Sequence, residues 1–137
     1  MAHTEAVWQG DMSFELELQG FKQVVDADSS VGGKNKGPTP KALMLNALAG
    51  CTGMDVVAIL TKMQMPFDRF EIKIDGETTE SHPKVFGKID LVYQFWGSEL
   101  DEKKIEKACR LSQTRYCGVS ATVKAVGEMN WRVELNP

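Results

Sequence analysis

The run "KALMLNALAGCTGMDVVAIL", residues 41–60, constrains this chain more than any other stretch. Thr39 and Pro40 suit an N-cap and a first helical position, and nothing then breaks a helix before Pro66 except Gly50 and Gly53. A helix apolar on every face has to be surrounded by other structure. Mid-helix glycines cost about 1 kcal/mol each relative to alanine unless close packing needs them, so the pair flanking Cys51 predicts close approach there. Asn46, Thr52 and Asp55 interrupt the run, and it ends at Thr61 and Lys62. That makes it too short and too polar for a membrane span, and predicts a core helix.

The flanks alternate as strands do. In "FELELQG", Phe14, Leu16 and Leu18 face one way and Glu15 and Glu17 the other, the period of a half-buried strand. With the stretch around Val7 and Trp8 and with "GFKQVVDAD", this predicts an antiparallel meander joined by Gly and Asp turns. "DADSSVGGKNKGPTP" has too few apolar residues to pack and reads as a loop, free to move, leading into the helix. Further on, Phe70, Ile72 and Ile74, then Ile89, Leu91, Tyr93 and Phe95, define two more apolar strand faces, with "GETTESHPK" turning between them. "SELDEKKIEKACRLSQTRY" spaces Leu100, Ile105, Ala108 and Leu111 as an amphipathic helix. A short helix from about Gly118 to Val126 and a closing strand through Trp131, Val133 and Leu135 complete an α+β chain, read as one domain over residues 1–137.

Charge and cysteine usage narrow the function. The formal net charge is -3 with basic residues scattered, so neither nucleic acid nor an anionic membrane is an expected partner. The start "MAHTEAVWQGDMSFELELQG" has no secretory pattern, and the cytoplasm is the expected location. Three cysteines are an odd count for a disulfide framework, so free, metal-bound or redox-active thiols are the open alternatives. A metal site is not expected, because CxxC and HxxxH pairs are missing and His3 and His82 fall in a terminus and a turn. No phosphate-binding loop is present and no cofactor is expected.

Among the thiols, Cys117 stands at a helix start, where unpaired N–H groups and the helix dipole favour a thiolate, and Arg115 two residues earlier could add positive charge. A small residue tucked under a helix end is the bland alternative. Cys51, in mid-helix, would be inert alone, since an apolar surround raises a thiol pKa. Asp55 lies one turn further on the same face and needs a cation, a backbone donor or water as partner. Cys109 reads as core filler.

"GPTPKALMLNALAGCTGMDVVAILTKM" together with "YCGVSATVKAV" resembles the OsmC/Ohr family of osmotically inducible and organic hydroperoxide resistance proteins, in its OsmC-like branch. The resemblance runs close to full length and follows the family's element order. It implies antiparallel sheets around central cysteine helices of two intertwined chains, a homodimer with sites at the subunit interface. It also implies that Cys51 and Cys117 meet in space. Cys51 would attack a peroxide as thiolate and Cys117 would resolve the sulfenic acid as a disulfide, later reduced by a dithiol such as a lipoylated protein.

Two family features differ. Peroxidases of the family activate the attacking cysteine with an arginine from an early strand and orient it with a glutamate early in the cysteine helix. Here the first arginine is Arg69, and Lys41 stands where the glutamate would be. Lys34, Lys36, Lys41 or Arg115 are the cations available as substitutes, without the bidentate fork of an early arginine in the lysines' case. The reading is thiol-dependent reduction of organic hydroperoxides. A non-enzymatic thiol switch and a small apolar-ligand binder are the alternatives on the same fold.

Overall fold

The alternating opening residues pair as a meander. In the computed structural model, which describes residues 1–137, strands β1 (Thr4–Trp8), β2 (Phe14–Leu18) and β3 (Phe21–Val25) form an antiparallel sheet in that order. Leu18 pairs with Phe21, so Gln19 and Gly20 make the two-residue turn, with φ of 55° and 82°. Positive φ at both positions matches the right-handed twist of the flanking strands. The chain divides into two compact units, Met1–Met44 and Leu45–Pro137, and this sheet belongs to the first. The half-buried face expected of β2 is not found: Phe14 and Leu18 are 40% and 47% exposed, beside Trp8 at 63% and Phe21 at 79%. Of the strand residues in this sheet only Val25 is buried, at 4% exposed.

The loop after β3 is pinned rather than free. Asp26, 2% exposed, accepts the backbone N–H groups of Ala27 (2.8 Å), Lys34 (2.9 Å) and Lys36 (3.2 Å). Those bonds, that of Lys34 foremost, hold its carboxyl below the usual aspartate value. Asp28 caps the 3₁₀ turn Ser29–Val31 by accepting from Ser30 N–H. Residues 40–42 form a turn, and the long helix α1 begins at Leu43, running to Lys62.

In the second unit α1 buries a stripe of Leu48, Thr52, Val56 and Leu60, spaced four apart as one helix face requires. The stripe joins a core with Ile89, Leu91, Tyr93, Phe95, Ile105, Ala108 and Val123. The remaining faces are not all covered as expected: Met54 is 75% and Val57 41% exposed. The close approach predicted at the glycines holds for Gly53, where an added Cβ would lie 3.1 Å from Ile72 Cδ1, while Gly50 faces open space. With 20 residues and an 18-residue window of mean hydropathy 1.7, α1 is long and apolar enough to cross a membrane, contrary to the sequence reading. Its buried stripe gives it a place in a protein core instead.

The second sheet holds β4 (Arg69–Thr78), β5 (Phe86–Trp96) and β6 (Glu128–Leu135) in that order. β4 runs antiparallel to β5, but β6 runs parallel to it, which departs from the all-antiparallel sheets expected. The cause lies in residues 97–127, a helical crossover that returns the chain to the sheet in the same direction. It begins with α2 (Glu102–Leu111), capped by Asp101, which accepts from Lys104 N–H at 3.2 Å. A π-helical turn, Ser112–Tyr116, then replaces the continued α-helix, and α3 (Gly118–Lys124) starts after Cys117.

Candidate functional site

The π-helical turn decides what meets the cysteine helix. It turns Ser112 and Gln113 into the core, leaves Thr114, Arg115 and Tyr116 exposed, and delivers Cys117 as the N-cap of α3. On α1, Cys51 and Asp55 are one turn apart. The two sulfurs and a carboxylate oxygen of Asp55 all lie within 4.8 Å of one another. Both cysteines are free thiols, Cys51 half-buried and Cys117 buried.

Burial is the main influence on Cys51 and pushes its thiol pKa up; the contact with Cys117 and the charge of Asp55 act the same way, and the Val119 N–H opposes them. Cys117 Sγ accepts the N–H of Ser120 at 3.3 Å, an N-cap bond made by sulfur. Cys117 thus stands at the helix start as expected, and there it serves as the cap. Cys51 caps no helix itself, but the Val119 N–H from the first turn of α3 reaches its sulfur, help that its mid-helix position did not lead one to expect.

Asp55 finds its partner in a hydroxyl rather than a cation. Ser112 Oγ donates to Asp55 Oδ2 at 2.9 Å. Ser112 Oγ in turn lies 2.7 Å from Thr52 Oγ1, which is 2.5 Å from Tyr93 Oη. Gln113 Nε2 donates to Tyr93 Oη at 2.6 Å and to Thr52 Oγ1 at 3.2 Å. Burial raises the Tyr93 phenol pKa to about 12, so it stays protonated. Lys124 Nζ donates to the Gln113 carbonyl at 2.6 Å and fixes the turn. Sequence reasoning missed this network. The one available signal was Thr52, a hydroxyl at the four-residue spacing of the buried stripe.

The proposed supporting cations are all exposed side chains. Arg115 is exposed and its guanidinium sits 5.4 Å from the Tyr116 ring centroid, a cation–π contact. Lys41 is exposed in the turn before α1, and Lys34 and Lys36 approach Asp11 at 3.0 and 4.0 Å. Cys109 is fully buried in α2, and burial raises its pKa to about 12, in keeping with a filler role. Cys51, Asp55 and Cys117 also lie as close as a metal-ligand set, one that no short sequence motif marks and that falls one short of the four protein ligands of structural zinc. A hollow of about 410 Å³ is lined by Asp55, Lys62 and Tyr116 together with Ala58, Ile59, Met63 and Leu111.

An α+β fold that brings a thiol of a long apolar helix against the N-cap thiol of a short one defines a small dithiol protein. The model of the OsmC-like protein family matches residues 33–131. Protein YhfA of Escherichia coli (strain K12) is 32% identical over 114 residues, 82% of this chain and 82% of that protein. The chain belongs to the OsmC-like family. Among solved structures, a hypothetical protein from Aquifex aeolicus VF5 superposes with a TM-score of 0.86 at 27% identity, covering 100% of this chain and 98% of that one. The organic hydroperoxide resistance protein OhrB of Bacillus subtilis shares the fold, with a TM-score of 0.71 at 15% identity over 98% of each chain.

Proposed function

We propose that this protein reduces organic hydroperoxides with Cys51 as the attacking thiol and Cys117 as the resolving one. The observation that carries the reading is the approach of the two free sulfurs to within 4.8 Å. Closing a disulfide brings them to about 2.05 Å. Cys51 attacks the terminal peroxide oxygen, an alcohol leaves, and Cys117 converts the sulfenic acid to a disulfide with loss of water. An external dithiol returns the two electrons by exchange. The apolar part of the hollow beside Asp55, formed by Ala58, Ile59, Met63 and Leu111, suits the organic group of a peroxide, although neither cysteine lines it.

The functional unit is a homodimer in a reducing compartment such as the cytoplasm. The exposed apolar face of α1 at Met54 and Val57 supports the pairing, because a bare patch of this kind usually marks an interface.

Stopped-flow oxidation of the reduced protein by cumene hydroperoxide and by hydrogen peroxide, with peptide mapping, tests the reading. The expected product is a Cys51–Cys117 disulfide formed faster with the organic peroxide and renewed by dihydrolipoate. Cys51→Ser should abolish consumption, and Cys117→Ser should stall after one oxidation per site. Oxidation without turnover in dithiol would favour a stoichiometric switch, and thiols that stay reduced would overturn the proposal.

A further inference from the structure

We infer that Asp55 is the proton carrier of the site, serving Cys51 in one half of the reaction and Cys117 in the other; the inference rests on the reading of those cysteines as a peroxide-reducing pair. Its basis is the direction of the buried hydrogen-bond chain. The Gln113 amide nitrogen can only donate, so both of its bonds, to Tyr93 Oη and Thr52 Oγ1, point outward from Gln113. Tyr93, a neutral phenol, has one proton and spends it on Thr52 Oγ1. Thr52 Oγ1 then accepts twice and directs its own proton to Ser112 Oγ. The Ser112 proton goes to Asp55 Oδ2, and an ionised carboxylate only accepts.

The chain therefore runs from Gln113 through Tyr93, Thr52 and Ser112 and ends on Asp55. It holds the carboxylate in place with a neutral donor, and Asp55 takes part in no salt bridge that would compete for a proton. One Asp55 oxygen lies within 4.8 Å of both sulfurs, near enough for a proton to pass to either through one water or after a small side-chain turn.

The balance closes in each half. As the Cys51 sulfur bonds to the terminal peroxide oxygen, its thiol proton passes to Asp55, the O–O bond breaks, and Asp55 returns the proton to the departing alkoxide. The products are an alcohol and the Cys51 sulfenic acid. As the Cys117 sulfur bonds to the Cys51 sulfur, its proton passes to Asp55, the S–O bond breaks, and the leaving hydroxide takes that proton as water. Asp55 ends each half ionised, and the dithiol has lost two electrons to the peroxide.

A spectator carboxylate would behave in the opposite way, because its negative charge disfavours a neighbouring thiolate. The experiment compares Asp55→Asn with the wild-type chain in two reactions of Cys51, followed by peptide mass. Alkylation by iodoacetamide is slow enough for the Cys51 proton to leave to solvent beforehand, and it expels iodide, which takes up no proton; peroxide reduction expels an alkoxide, which must receive one. Asp55→Asn is expected to alkylate as fast as wild type or faster, yet to react with cumene hydroperoxide about 10²-fold more slowly, the usual weight of general acid–base catalysis. Parallel changes in the two reactions, in either direction, overturn the inference. If Asp55→Asn does not fold, Ser112→Ala, which frees the carboxylate from its holder, is expected to show the same split at about tenfold; parallel rates there overturn it too. Wild-type protein inert to peroxide overturns the parent reading along with this one, whereas an active wild type matched by Asp55→Asn overturns this one alone.

Discussion

Ser112 Oγ donates to Asp55 Oδ2 at 2.9 Å, across a sequence separation of 57 residues. That bond ties the π-helical turn to the cysteine helix one turn from Cys51. The geometry of the thiol pair thus depends on polar contacts buried beneath it as much as on apolar packing.

Thr52 is the hub of those contacts, so Thr52→Val keeps the shape and deletes the hydroxyl that links Tyr93 to Ser112. Leaving buried polar groups without partners costs about 1–3 kcal/mol. Urea unfolding at fixed protein concentration is expected to lose stability in that range. A stability equal to wild type would mean that the remaining hydroxyls re-pair among themselves.

Asp26 fixes the loop between β3 and α1 through three backbone N–H bonds to an ionised carboxylate. Its folded pKa lies below the ordinary 3.8. A lowered folded pKa gives stability that is complete above the unfolded value and is lost as pH falls through the folded one. Wild-type protein should therefore lose stability below about pH 4, and Asp26→Asn should be less stable at pH 7 while changing less with acid. Thermal melts of both proteins between pH 3 and 7, by circular dichroism, check the convergence of the two curves; curves that stay parallel would contradict it.

Cys109 and Tyr93 both have pKa values raised to about 12 by burial. A raised folded pKa means that stability is intact below the unfolded values and declines as pH rises past them. Unfolding midpoints in urea are expected to fall from about pH 9 upward. Native Cys109 should resist iodoacetamide at pH 8 while Cys51 is labelled, and Cys109→Ser should leave peroxide kinetics unchanged. Preferential labelling of Cys109 would show that α2 opens readily.

Met54 is 75% exposed on a groove of about 620 Å³ that also takes in Gly50, Val57 and Ile72. On a lone chain, Met54→Glu would change stability by no more than about 0.5 kcal/mol, as surface substitutions do. If two chains pair through this face, the buried charge should yield monomers and a large loss of thermal stability. Light scattering during gel filtration reads the difference, and a wild-type monomer would dismiss the pairing.

Local patterns in the sequence determined the elements. Period-two alternation located β2, β4, β5 and β6, the spacing of Ile105 and Ala108 marked α2, and the long apolar run marked α1, because each pattern is a property of consecutive side chains. The approach of Cys51 to Cys117 followed from family resemblance, since no local rule joins residues 66 positions apart. Tertiary structure alone decided the parallel pairing of β6, set by the course of the helical crossover, and the capture of the loop by Asp26. It also decided the π-helical turn. "SQTRY" continues the polarity pattern of α2, and the bonds of Ser112 and Gln113 to Thr52, Tyr93 and Asp55, with that of Lys124 to the Gln113 carbonyl, stabilise the wider turn. Such bonds join groups distant in the chain, so their energy enters only once the core has closed around them.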